Sequence, residues 1–203
     1  MQERRISNTA AVVIAAAVLA GLAAPTTAQA QTSPAPVNDM QRALESRTKG
    51  DDSATVVVFE IADFQCPYCA QFAADVAPEL HEKYVTSGQV QWVFVNLPMH
   101  NHPLAWHAAE AALCAGAAGD GFWPMHDRLF AEQEEWAGSD DPQAMFAGYA
   151  ADLGIPADAF QTCTREDRVA SLIIQDLGSA ISAGITGTPT FIIMKDEQVV
   201  NRL

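Results

Sequence analysis

Residues 64–72 read Phe-Gln-Cys-Pro-Tyr-Cys-Ala-Gln-Phe, FQCPYCAQF, directly after the apolar run TVVVFEIAD at 55–63. Two cysteines separated by two residues can hold a metal, lock a turn or exchange electrons with another protein. The β-branched run TVVVFEI (55–61) predicts a strand buried on both faces. Beyond the cysteines, Phe72, Val76, Leu80 and Tyr84 recur every four residues, the stripe of a helix that Pro78 should kink by removing a backbone hydrogen bond. With that helix starting at Cys66, residues three apart face one side, so the two sulfurs can bond or part with little backbone movement. Their environments differ. Cys66 receives the unsatisfied N–H groups and the positive end of the helix dipole, which stabilise a thiolate by about 0.3–2 kcal/mol. Cys69 is shielded by its own turn. Cys66 is therefore the expected nucleophile and Cys69 the resolving thiol, with Pro67 fitting the first helical turn, where its missing N–H costs nothing.

Working outward, QVQWVFVNL (89–97) predicts a second strand, and strand-helix-strand order implies a parallel pair with a crossover helix. The chain then reads as helical over about 99–165. PLAWHAAEAALCAGAAG is alanine-rich and ends at Gly116 or Gly119. GFWPMHDRLFAEQ places Phe122, Met125, Leu129 and Phe130 on one face. Asp141-Pro142 opens a helix with Met145, Phe146, Tyr149 and Leu153 inward. A longer helix is predicted over about Arg165 to Ala183, with Val169, Leu172, Ile173, Leu177, Ala180 and Ile181 on one side. TFIIM and QVV then form two strands joined by a turn at KDE.

The N-terminus bears on compartment. Arg4 and Arg5 precede the apolar segment Ala10 to Ala24, and Ala28 and Ala30 suit a cleavage site, so residues 1–30 read as a cleavable signal peptide. An uncleaved membrane tether is the alternative. Residues 31–53, rich in Pro, Ser, Thr, Asn and Asp, read as a flexible linker with a short helical stretch at Met40 to Ser46, and 54–203 as the folded domain. The chain carries −14; the signal contributes +1 (Arg4 and Arg5 against Glu3), leaving −15 on the remainder. Such acidity argues against a nucleic-acid or anionic-membrane partner. In an exported protein the cysteines should be paired or cycled, which favours a structural Cys114–Cys163 disulfide over two buried free thiols.

A zinc site would need two further ligands beside the CxxC, and Cys114, Cys163 and the histidines of MHNHP (His100, His102), His107 and His126 form no second such motif. No metal and no cofactor is expected. GTPTF (187–191) stands directly before a strand, and its proline is a candidate cis bond. Taken together, DFQCPYC, GFWPMHDRLF and GTPTF over about residues 54–200 resemble the DsbA-like thiol-disulfide oxidoreductases of the thioredoxin superfamily. The fold this resemblance implies is α/β, thioredoxin-like, with an α-helical insertion.

The resemblance implies the nucleophile at Cys66, the resolving cysteine at Cys69, and a cis-proline loop at Thr188-Pro189 whose backbone pairs with an extended client segment. It places a buried acid at Glu60, where a carboxyl with raised pKa exchanges a proton with Cys69. The expected partners are exported polypeptides bearing thiols and a quinone-linked membrane protein that reoxidises the pair. The alternatives are a reductase on the same fold and a copper-holding thiol module. Two positions depart from the family. Tyr68 stands where the strongest oxidants carry His, which predicts a weaker oxidant. Leu203 follows the last strand directly, where the family continues into a helix; a truncated chain with a bare apolar sheet face and poor solubility is expected, the alternative being another element that covers the face.

Overall fold

The computed structural model describes residues 38–203; the expected signal peptide and residues 31–37 of the expected linker lie outside them. The centre is a parallel pair, β2 (Val56–Ala62) and β3 (Val90–Asn96), with Glu60 beside Phe94. The five-stranded sheet runs β1-β3-β2-β4-β5, all other pairings being antiparallel. β4 (Thr190–Lys195) and β5 (Gln198–Arg202) form a hairpin whose turn residues Asp196 and Glu197 have φ of 49° and 64°. Two positive φ values at the centre of a two-residue loop match the right-handed twist of the strands.

Residues 38–53 are not a flexible linker throughout. Asn38 caps α1 (Asp39–Ser46) by accepting from Gln41 N at 2.8 Å, and β1 (Thr48–Lys49) adds an edge to β3. What holds this segment is packing: Ala43 is fully buried in the main core. Gly116 makes room for it, since a Cβ there would come within 2.0 Å of Ser46 Oγ. Gly116 thus lies inside a helix, and Gly119 ends it.

The crossover begins with α2 (Pro67–Asp75), breaks at Val76 and continues as α3 (Ala77–Leu80) and a π-helical turn (His81–Val85). The break follows from Pro78, which has no N–H for the Ala74 carbonyl and whose ring crowds it. Between β3 and the last helix stand α4 (Ala105–Ala118), α5 (Phe122–Ala131), α6 (Gln133–Ala137), α7 (Pro142–Asp152) and α8 (Ala157–Arg165). The last helix, α9 (Ala170–Ser182), starts later than the sequence predicts, because Asp167 takes a φ of 49° and separates it from α8. Ile181 is 63% exposed rather than inward. Nine residues from Leu172 is half a turn in excess of whole turns, which puts Ile181 on the opposite face. Leu153 is likewise exposed, at the C-cap of α7. Among the described residues no helix is long and apolar enough to cross a membrane.

On the α2 side of the sheet, beyond α2 and α3, lies an apolar groove of about 580 Å³ lined by Val58, Phe72, Leu80, Trp92, Phe191 and Ile193 among others. On the opposite side α9 packs, and its buried Asp176 pairs with Arg47 and accepts from Asn96 N and Nδ2 at 3.0 Å.

A bond between Cys114 and Cys163 ties α4 to α8, with Cα atoms 5.6 Å apart. One turn earlier on α4, Glu110 is 5% exposed, and burial, then the charge of Asp167 and a hydrogen bond with it, pushes its carboxyl up to about 7. A carboxyl whose folded pKa exceeds its unfolded value binds more protons folded, so its stabilising effect is present at low pH and fades between its ordinary 4.5 and about 7. We expect Glu110→Gln to be more stable than wild type above pH 7 in denaturant melts, the difference vanishing near pH 5. Parallel stability curves for the two proteins would refute this.

Candidate active site

The site is assembled where β2 ends. Asp63, 1% exposed, opens the loop: Oδ1 accepts from Gln65 N, while Oδ2 accepts from Met99 N and faces His102 Nδ1, all at 2.7 Å. Cys66 N donates to Asp63 O at 3.0 Å, and Cys66 becomes the N-cap of α2 with Pro67 in its first turn. The Cys66 carbonyl accepts from Cys69 N at 3.1 Å and Ala70 N at 3.2 Å, which sets the two thiols one turn apart. Both are free cysteines. Tyr68, between them, is 70% exposed.

β4 pairs antiparallel to β2 with Thr190 opposite Ile61, so the residues before Thr190 arrive beside the cysteine loop. The Thr188–Pro189 peptide is cis, and Cys66 Sγ donates to the Thr188 carbonyl at 3.4 Å. The two thiols are not equivalent. Cys69 is 0% exposed. Burial pushes its thiol far above the ordinary cysteine range, against the lowering effect of hydrogen bonds from the Asp63 backbone and the Thr188 side chain. A thiol so hard to ionise needs a proton acceptor before it can attack, in keeping with a resolving role.

Glu60, 1% exposed, projects from β2 on the α2 side and accepts from Trp92 Nε1 at 2.8 Å through Oε2. Burial raises its pKa, opposed by the charge of His126, the Trp92 hydrogen bond and Lys49. Its hydrogen bond goes to Trp92 rather than to Cys69.

Sequence reasoning missed Gln133. From α6 its Nε2 donates to the carbonyls of Phe64 at 2.6 Å and Cys66 at 3.0 Å, clamping the loop on both sides of Gln65. Gln65 Oε1 in turn accepts from Leu104 N at 2.7 Å. Nothing in the string AEQEEW separates this glutamine from a surface one. We expect Gln133→Ala to lose about 1–3 kcal/mol, the cost of two buried carbonyls robbed of a donor. Urea unfolding measures it, and an unchanged midpoint would show the clamp to be dispensable. His102, which reads as an ordinary loop histidine, is held against Asp63 with its side chain 19% exposed. Among the described residues no three His, Cys, Asp or Glu side chains gather in a way that could hold a metal ion.

A pair of thiols at the start of a helix, faced by a cis-proline loop at the entrance to a neighbouring strand, defines a thioredoxin-type site. The family described as thioredoxin matches residues 42–202. The chain is 38% identical over 146 residues to the Na(+)/H(+) antiporter NhaA 3 of Salinispora tropica, a match that covers 71% of this chain and 21% of that protein. It spans about a fifth of that relative's length. It is 28% identical over 171 residues to the probable disulfide bond formation protein D of Bacillus cereus, covering 78% of this chain and 79% of the relative. The crystal structure of alpha-DsbA1 from Wolbachia pipientis superposes with a TM-score of 0.65 at 25% identity, covering 74% of this chain and 75% of that one. The chain belongs to the thioredoxin family, and its fold is similar to that of the alpha-DsbA1 structure.

Proposed function

We propose that this chain is an exported protein-disulfide oxidoreductase that introduces disulfides into exported polypeptides through Cys66 and Cys69. The observation that carries this reading is the Cys66 thiol on the Thr188 carbonyl, with a buried, harder-to-ionise Cys69 behind it. A client thiolate attacks the Cys66–Cys69 disulfide at Cys66, and the electron pair of the broken bond leaves on Cys69. The client's second thiolate then attacks the client sulfur of the mixed disulfide, releasing an oxidised client and a Cys66 thiolate. Two electrons pass from client to protein, and a quinone-linked membrane partner takes them on. An extended client segment pairs with the Thr188 backbone, and Glu60 exchanges the Cys69 proton.

The test is the reduction potential of the pair, titrated against glutathione. A value of about −120 to −180 mV supports the oxidant; one near about −270 mV makes the protein a reductase. A pair that does not titrate, with stoichiometric copper in the purified reduced protein, reopens the metal-holding alternative. Tyr68→His places a cation beside the Cys66 thiolate at an exposed position. We expect it to raise the potential by about 30 mV, the equivalent of about 1.4 kcal/mol. An unchanged glutathione equilibrium would remove Tyr68 from the factors that set oxidising strength.

A further inference from the structure

Several buried polar atoms on the α2 side of the sheet have no hydrogen-bond partner among the described residues, and four of them belong to one neighbourhood: Glu60 Oε1, His81 Nε2, Trp123 Nε1 and His126 Nε2. The His126 ring lies 4.9 Å from that of Trp123, and the His81 ring 4.8 Å from that of Trp92, whose Nε1 holds Glu60. Lys49 Nζ sits 3.7 Å above the Trp123 ring. Of these residues, His81 and His126 also line a cavity of about 300 Å³, together with Lys49, Asp127 and the alanines of α2 and α3. Ala70 and Ala73 follow Cys69 on α2, and their small side chains leave space there. A cavity of this size, with Lys49, His81, His126 and Asp127 on its wall, has room for several waters.

His126 is built to span it. Its Nδ1 lies 2.8 Å from Asp127 Oδ1, and its side chain is 3% exposed while that of Asp127 is 74% exposed. Partial burial works to raise the Asp127 pKa, but the His126 hydrogen bond and the nearby charges of His126, Lys49 and His81 hold it below the ordinary carboxylate range. An ionised Asp127 keeps the hydrogen on Nδ1, which leaves Nε2 as the ring nitrogen without a hydrogen-bond partner among the described residues. His81 cannot substitute for it: burial, then the charges of Lys49 and His126, lowers its pKa to about 4. The groups acting on Glu60 are His126 and Asp127 from α5, Lys49 from β1 and the Trp92 hydrogen bond from β3. The motif GFWPMHDRLF, which the exchange chemistry alone leaves without a role, supplies Trp123, His126 and Asp127 within little more than one helical turn.

We propose that His126, on the wall of this cavity and oriented by Asp127, relays protons between solvent and Glu60, and so sets the rate at which Cys69 is protonated and deprotonated. This rests on the roles given above to Cys69 and Glu60. When a client thiolate bonds to Cys66 Sγ, the Cys66–Cys69 bond breaks and its electron pair leaves on Cys69 Sγ. The Glu60 carboxyl gives its proton to that sulfur by way of a water. Glu60 recovers a proton from His126 Nε2, and His126 recovers one from solvent. During reoxidation the Cys69 proton leaves by the same route, and the thiolate attacks the mixed disulfide at Cys66. The exchange step needs only the thiols and solvent protons; in reoxidation the mixed disulfide that Cys69 attacks is the one Cys66 forms with a disulfide of the quinone-linked partner proposed above, which takes the two electrons.

The experiment follows resolution of the Cys66–glutathione mixed disulfide by stopped flow from about pH 5 to 9, in wild type, His126→Gln and Asp127→Asn. For His126→Gln we expect resolution at neutral pH to slow by about a hundredfold, within the range of general acid–base catalysis. For Asp127→Asn we expect about tenfold. A relay changes forward and reverse rates together, so the glutathione equilibrium stays at the wild-type value and added imidazole restores part of the rate. Unchanged resolution in both variants overturns the relay. So does slowing that comes with a shifted equilibrium and no imidazole rescue, since that is damage to packing. If His126→Gln does not fold, Asp127→Asn, altered only at an exposed carboxylate, decides by the same readouts. A wild-type protein that forms no mixed disulfide overturns the exchange function itself, whereas normal capture with unaltered resolution overturns only the relay.

Discussion

We expect Cys69→Ala to capture clients and not to release them. Reduced variant mixed with a disulfide-bearing client should accumulate a covalent complex through Cys66, and turnover should fall by roughly three orders of magnitude or more. The reason lies in the placement of the two sulfurs. Cys66 Sγ reaches the Thr188 carbonyl on the loop that a client would approach, so attack survives the substitution. On the proposed roles, the complex formed with a disulfide-bearing client is resolved by Cys69, one turn away on the same helix. Cys66→Ala gives a different phenotype. The remaining Cys69 is fully buried and its thiol is pushed far up by that burial, so neither complex nor turnover should appear. Non-reducing electrophoresis with intact mass separates the two outcomes. Sustained turnover by Cys69→Ala would mean that another thiol resolves the complex, and the pair would lose its assigned roles.

Removing the Cys114–Cys163 bond should cost about 4 kcal/mol in the chain-entropy model, for a loop with a separation of 49 residues. For a domain of this size that corresponds to a melting temperature lower by roughly 8–16 °C. The bond joins α4 to α8 inside the main core, where Cys114 is 0% and Cys163 2% exposed. The double Ala variant therefore also leaves two sulfur-sized gaps, which add to the loss. Differential scanning calorimetry measures the shift. Equal melting temperatures would show that the helical core holds α8 without the bond. Cysteine labelling of the unfolded oxidised protein should meanwhile find no free thiol.

The elements that read most clearly in the sequence are those whose periodicity is local. β2 and β3 fall within one residue of the predicted runs, because β-branched residues in unbroken series suit a strand buried between layers. The α7 start is where Asp141-Pro142 places it, since a cap and an N1 proline act within a single turn. Predictions failed where a distant partner decides. The helical stretch read at Met40 to Ser46 coincides with α1, whereas β1 beside it, read as linker, is held by its pairing with β3. Asp176 lies on the apolar face of α9, between Ile173 and Ala180, and its carboxylate is tolerated there because Arg47 and Asn96 meet it.

The site divides in the same way. By itself the sequence determined the local features on which the proposed chemistry rests: CxxC at a helix start, a threonine-proline step before a strand, and an acid within an apolar run, each a feature of a few consecutive residues. Only the tertiary structure decided what surrounds them. It brought Thr188 to Cys66, set Gln133 on the loop carbonyls, and gathered Lys49, His81, His126 and Asp127 around one cavity. Those groups come from separate elements of the chain. Hydrogen bonds and charge interactions act through space over a few ångströms, so no spacing along the chain records which of these groups will meet.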